Sequence, residues 1–311
     1  MIGRIIIYLL ITITVWSASA QESTLNQEDL TVNALIKGTL LLPSGSETTP
    51  LVILIAGSGP TDRNGNQNMM KNNSLRFLAE GLYAEGVSSF RYDKRIVAQL
   101  RDGSLQEEQI RFDDFIDDAA AVLDFFKDDQ RFSGIYVAGH SQGSLVGMVA
   151  AQNRADGFIS IAGAGQQIDD VIVDQLSKQA PGLVDNARQS FDDLRVNGVA
   201  QNYSPGLASI FRPAIQPFIL TWMQYDPKVE IGKLDIPVII INGDKDLQVQ
   251  ISEAELLRDA KPDAEYVIIP KMNHIFKEID GDDLENSKSY NEYNRPVIPE
   301  LIERITAFVK K

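Results

Sequence analysis

Ser141 stands in Gly139-His140-Ser141-Gln142-Gly143, directly after the apolar run Ile135-Tyr136-Val137-Ala138. The apolar positions Leu145, Val146, Val149 and Ala150 follow at helical spacing. A glycine-flanked serine between a strand and a helix sits on a turn too sharp for side chains at the flanking positions. Such a turn strains the serine backbone and holds its hydroxyl in the open, at the positive end of a helix. A hydroxyl is a poor nucleophile until a base takes its proton. The chain has two histidines, and His140 lies inside the pentapeptide. That leaves His274, which follows the apolar run Tyr266-Val267-Ile268-Ile269, as the candidate general base. An acid must fix its tautomer and stabilise the imidazolium. Asp244 and Asp246 both qualify, in the turn after the apolar run Pro237 to Asn242. The chain order is serine, aspartate, histidine.

Attack on a carbonyl also generates an oxyanion, which needs backbone donors. One is expected from the N–H of Gln142, at the helix start. The other is expected from the loop after Leu51-Val52-Ile53-Leu54-Ile55, which reads Ala56-Gly57-Ser58-Gly59-Pro60. Its glycines let backbone approach a ligand closely, and the N–H of Ser58 is the candidate.

The elements that must position these groups alternate. Ala34 to Leu42, Leu51 to Ile55, Val87 to Tyr92, Ile135 to Ala138, Gly157 to Ala162, Val238 to Ile241 and Tyr266 to Ile269 read as strands. Phe112, Phe115, Ile116, Ala119, Val122, Leu123 and Phe126 recur at helical spacing, and a last helix begins near Pro299. This alternation predicts an α/β fold with a doubly wound, mostly parallel sheet. Asp113, Asp114, Asp117 and Asp118 crowd one helix face and read as a solvated face rather than a metal site. Asp280 to Asn294 reads as a polar surface loop. Residues 164–233 break the alternation. Val171 to Leu176, Leu183 to Leu194 and Ile215 to Met223 read as helices there, without a strand. The predicted organisation is therefore a core of residues 21–163 and 234–311 with a helical cap insertion at 164–233. Phe211, Phe218, Trp222 and Met223 are placed either on an acyl pocket or in the cap's own core.

Composition excludes several classes. A net charge of −14 opposes a nucleic-acid partner and anionic lipid. Without cysteine there is no disulfide, thiol nucleophile, zinc thiolate site or lipoprotein anchor. Residues 1–20 carry Arg4, an apolar stretch from Ile5 to Trp16 and an A-x-A site ending at Ala20. This pattern predicts a cleaved signal peptide, a mature chain beginning at Gln21 and no lasting membrane anchor. The expected location is the periplasm or the exterior of a bacterial cell.

The motifs resemble those of the α/β-hydrolase superfamily. Gly57-Ser58-Gly59-Pro60-Thr61-Asp62-Arg63-Asn64 is similar to the G-S-G-P-x-D-R-D loop of bacterial esterases related to the serine aminopeptidase-like hydrolases. Arg91-Tyr92-Asp93-Lys94-Arg95 matches the R-Y-D-K-R element of that group. The group carries its acid in a G-x-x-D-x-x-V pattern, which Gly243, Asp246 and Val249 match, so the resemblance selects Asp246. It implies hydrolysis of small carboxylic esters through an acyl-enzyme, without cofactor or metal. Ile96-Val97-Ala98-Gln99-Leu100 departs from the small Gly-rich turn that usually follows in the group. Asp62 to Asn66 has the start of a calcium loop but not its later ligands, and is expected instead to brace the oxyanion region by hydrogen bonds. The same triad would serve an aminopeptidase or amidase, holding a substrate amine with a cap carboxylate such as Asp169, Asp170 or Asp174. It would also serve an acyltransferase, and a non-catalytic binding module is the reading of a different class.

Overall fold

A computed structural model describes residues 25–311. The expected signal peptide falls outside the described residues. Eight strands form one sheet: β1 (Gln27–Thr31), β2 (Lys37–Leu41), β3 (Thr49–Ile55), β4 (Ser88–Tyr92), β5 (Phe132–His140), β6 (Gly157–Ile161), β7 (Val238–Gly243) and β8 (Glu265–Ile269). Their order is β1-β2-β4-β3-β5-β6-β7-β8. β1 and β2 run antiparallel at one edge, and all pairings from β4 to β8 are parallel.

Helices cover both faces. They are α1 (Ser74–Ala84), α2 (Arg95–Asp102), α3 (Asp113–Phe126), α4 (Gln142–Ala150), α5 (Ile168–Gln179), α6 (Val184–Asn197), α7 (Ala208–Phe211), α8 (Gln216–Trp222), α9 (Pro227–Gly232), α10 (Ile251–Ala260), α11 (Asp283–Ser289) and α12 (Pro299–Val309). The central strands alternate between two cores, as a pleat with both faces covered requires. Leu51, Ile53 and Ile55 of β3 join Phe115, Val122 and Phe126 of α3 and Leu145 of α4. Val52 and Leu54 join Leu78 and Leu82 of α1 and Leu301, Ile305 and Phe308 of α12. Each such side chain, fully buried, contributes about 1.5–3 kcal/mol.

The expected doubly wound sheet is present, with differences at its margins. β1 lacks an apolar pattern because it is a polar edge strand, alternately exposed and half-buried. The expected first strand begins three residues late, at Lys37. Asn33 Oδ1 accepts the amides of Leu35 and Ile36 at 2.9 Å each and turns the chain from β1 into β2. Ile96 to Leu100, which departs from the small turn that the resemblance implies, lies within helix α2. The stretch from Asp280 to Asn294 contains helix α11. Asp282 caps it, accepting the amides of Leu284 and Glu285.

Helices α5 to α9 lie between β6 and β7. Helices α5 to α8 and the turns between them have a core of their own, including Phe191, Leu194, Leu207, Phe211, Ile219 and Met223, whereas Ile231 of α9 joins the core of the sheet. The chain crosses from β4 past β3 to β5, so the winding reverses between β3 and β5. In open α/β sheets, ligands bind outside the carboxyl ends of strands at this point. Ala56 to Pro60 follow β3 there, and Ser141 follows β5.

Candidate active site

Ser141 takes φ 54° and ψ −121°, a conformation that costs a side-chain-bearing residue about 1–3 kcal/mol. The glycines around it allow the turn. A Cβ at Gly139 would stand 2.2 Å from the Gly143 carbonyl oxygen, and one at Gly143 would stand 2.5 Å from that of Ile55. Strand, turn and helix are thus packed backbone to backbone, and no flanking side chain fits.

His274 reaches the same place from the loop after β8. Its Nδ1 donates to Asp246 Oδ2 at 2.8 Å. Asp246 Oδ1 accepts the amides of Gln248 and Val249 at 2.8 and 2.9 Å, so donors occupy both oxygens. The side chain of Asp246 is entirely buried and that of His274 is 6% exposed. With Nδ1 protonated, a neutral His274 presents Nε2 as a bare acceptor. Ser141 and His274 line one cavity of about 370 Å³, together with Gln67, Gln248 and Tyr290. Asp244 lies apart from this group. Its Oδ1 accepts the Lys271 amide at 2.6 Å, which ties two turns together.

His140 has a role that sequence reasoning missed. Its Nε2 lies 2.8 Å from the carbonyl oxygen of His274 and must donate to it. Its ring packs edge-on against Phe276, with centroids 4.7 Å apart. Burial, with His274 nearby, holds its pKa well below the usual imidazole value, so it stays neutral. It pins the backbone that carries His274. Nothing in the pentapeptide signals this, because its partner lies 134 positions away.

Ser58 and Gln142, the candidate oxyanion donors, line a second cavity of about 310 Å³ with Ser141. Among the described residues the Ser58 amide has no acceptor. The Ser58 peptide is braced, but by residues flanking Asp62 to Asn66 rather than by that stretch itself. The Ser58 carbonyl accepts from Thr61 Oγ1 and Gln67 Nε2 at 2.9 and 2.8 Å. Asp62 Oδ1 accepts the amides of Asn64 and Asn66, so the carboxylate that begins the calcium-like pattern closes a turn instead.

The R-Y-D-K-R element supports the Ser58 loop by hydrogen bonds. Asp93 accepts the Arg63 amide at 2.9 Å and Arg63 Nη2 at 3.0 Å. Lys94 Nζ donates to the Gly57 carbonyl at 2.9 Å and to Gln142 Oε1 at 2.8 Å. Arg95 grips both oxygens of Asp118, at 2.7 and 2.8 Å, and also pairs with Asp114. This corrects the solvated-face reading of the aspartate cluster. Asp118 is buried, and burial raises its pKa despite Arg95. Asp113 accepts from the Tyr225 hydroxyl at 2.6 Å, and Asp117 alone is exposed.

A third cavity, of about 430 Å³, opens beside Ser58 and Gln142. Ile96 and Leu100 of α2, Leu105, Phe115, Phe218 and Trp222 make it largely apolar. Of the four cap residues considered from sequence, Phe218 and Trp222 face this space, whereas Phe211 and Met223 belong to the cap core.

Comparison with known proteins finds relatives of this chain. The family model described as serine aminopeptidase, S33, matches residues 72–205. That span contains Ser141 but neither Asp246 nor His274. Esterase EstD of Thermotoga maritima is 29% identical over 255 residues, 80% of this chain. The chain spans 60% of that relative's length. Among solved structures, Est1E from Butyrivibrio proteoclasticus superposes with a TM-score of 0.57 at 17% identity, covering 92% of this chain and 99% of that one. An alpha-beta serine hydrolase homologue from Coxiella burnetii gives a TM-score of 0.50 at 17% identity, with 91% and 98% covered.

Proposed function

Starting from a chain that has the α/β-hydrolase fold and resembles the S33 serine aminopeptidases and an esterase, we propose that it is a serine hydrolase cleaving carboxylic esters. The observation that carries this reading is the buried Asp246–His274 pair, whose histidine lines one cavity with a strained serine. His274 takes the Ser141 proton as Oγ attacks the ester carbonyl. The amides of Ser58 and Gln142 receive the oxyanion. His274 then returns the proton to the departing alcohol oxygen, and water releases the acyl group by the reverse sequence.

Proton return requires the leaving group to lie on the His274 side, where Gln67, Gln248 and Tyr290 offer polar contacts. The acyl group then turns away, toward the apolar spaces beside Ser58 and Gln142. Charge favours esters over aminoacyl substrates. Among the described residues, the three cavities near Ser141 carry one lining carboxylate, Glu107, and Arg212 already pairs with it. The cap carboxylates proposed to hold an amine are engaged as well. Asp169 is held by Arg188 and Arg195, Asp170 by Arg188 and Asp174 by Gln166.

The test is turnover of a p-nitrophenyl ester series by the wild type and by Ser141→Ala. Ester hydrolysis that falls by about 10⁴-fold or more in the variant is expected, as for loss of a triad nucleophile. Unchanged hydrolysis in Ser141→Ala would sink the assignment. Hydrolysis of aminoacyl amides in preference to all esters would favour the aminopeptidase reading.

A further inference from the structure

Lys94 is an amine sealed inside the protein without a carboxylate of its own. Its residue is 6% exposed. The nearest carboxylate element, α3, offers Asp118, but both oxygens of Asp118 are held by Arg95. The other groups around the Nζ are the Phe115 ring, with its centroid 4.4 Å away, the Gly57 carbonyl and the Gln142 side chain. Lys94 lines the cavity of about 430 Å³ beside Ser58 and Gln142; an unpaired buried lysine is expensive, and an apolar side chain would fill that wall at lower cost.

The two acceptors say what that cost supports. The Gly57 carbonyl and the Ser58 amide are opposite ends of one peptide unit. Gln142, the other acceptor, contributes the second oxyanion amide from its own backbone. One ammonium or amine group therefore bridges the peptide that carries one expected donor and the side chain of the residue that carries the other. We infer that Lys94 is a positioning residue for the oxyanion hole: it fixes the plane of the Gly57–Ser58 peptide and ties it to Gln142. A hydrogen bond to the Gly57 carbonyl also polarises that peptide and strengthens the Ser58 N–H as a donor. Burial draws the Lys94 pKa down to about 7. Both protonation states keep at least two N–H groups for the two acceptors, so the bridge survives titration. Lys94 does not touch the reacting atoms. Its effect belongs in kcat, because the oxyanion exists only in the transition state and the intermediate.

The inference rests on the serine-hydrolase reading, and the experiment separates the two. Wild type, Ser141→Ala, Lys94→Met, Lys94→Gln and Gln142→Met are compared on p-nitrophenyl acetate, with folding checked by circular dichroism. Turnover lost in Ser141→Ala establishes the parent reading; turnover retained there overturns both. Given that loss, Lys94→Met is expected to lower kcat by about 10- to 100-fold with little change in KM, since the donors are misaligned rather than deleted. Lys94→Gln, whose amide can donate to both acceptors, should recover much of the loss. If Lys94→Met does not fold, Gln142→Met, which removes one arm of the bridge and keeps the backbone amide, should show a smaller loss, again in kcat. A folded Lys94→Met with wild-type kcat, a loss confined to KM, or an absence of rescue in a folded Lys94→Gln overturns the positioning role. A wild-type kcat in Gln142→Met does so where Lys94→Met cannot be read.

Discussion

Ser141 and Lys94 are both held in states they would leave if free, one by backbone strain and one by burial. The strain at Ser141 could be read from sequence because glycine at positions 139 and 143 has a steric reason. The choice of Asp246 over Asp244 rested on the resemblance. The two aspartates of the turn are equivalent by type, and only the fold gives Asp246 the His274 nitrogen and Asp244 a backbone amide. The roles of His140 and Lys94 were not legible, since each depends on contacts far along the chain. Burial of Lys94 also has a consequence for stability. The amine titrates near 7 in the fold against an ordinary 10.5, and desolvation is the main cause. Between these values the unfolded chain binds the proton that the folded one has lost, so stability rises with pH across that window. The penalty is fully present below pH 7 and fades toward 10.5. Lys94→Met lacks it. Urea denaturation at about pH 6.5 and about pH 9 should therefore show the wild type gaining on the variant at the higher pH. The same difference at both would mean that Lys94 does not bury a charge.

The elements that carry the site differ in how plainly they announce themselves. β7 is buried along its whole length and its Val-Ile-Ile-Ile run reads directly as a central strand. Strand β1 and helices α2 and α11 are short and largely polar, and tertiary contacts decide them. Asp118 was misread for a related reason: its partner Arg95 begins α2, the helix that the pattern did not reveal. Helix α8 shows what the cap does. Trp222 stacks on Phe112 with centroids 5.3 Å apart, and Phe218 meets Phe115 edge-on at 5.7 Å. The Phe112 amide donates to Thr221 Oγ1 at 2.8 Å, and Arg212 pairs with Glu107. Core and cap thus share an aromatic seam, whose inner side is a wall of the apolar cavity. Trp222→Leu shortens that wall and should move the optimum of an ester series to longer acyl chains. Each added methylene accommodated is worth about 0.8 kcal/mol, about fourfold in kcat/KM. An optimum unmoved in a folded variant would remove this cavity from acyl binding.

At the scale of the molecule, the sheet sets two carboxyl ends side by side at the reversal between β3 and β5, and the remaining parts converge on them. The Ser58 loop comes from β3, Ser141 from β5, Asp246 from the turn after β7, His274 from the loop after β8, and a cap wall from α8. Alternation of strands and helices made this architecture predictable, because each buried parallel strand needs a crossover helix to return the chain. The packing of the cap on the core was not predictable, since an amphipathic helix does not reveal which surface covers its apolar side. On the proposed function these parts converge on Ser141, which would be acylated in turnover. Mass spectrometry of the intact protein after brief exposure to a fluorophosphonate, followed by peptide mapping, tests it without a known substrate. One adduct per chain is expected, located on the peptide containing Ser141 and abolished by His274→Ala at the same exposure. Labelling at another residue, or a fully folded chain that takes up no label, would contradict it.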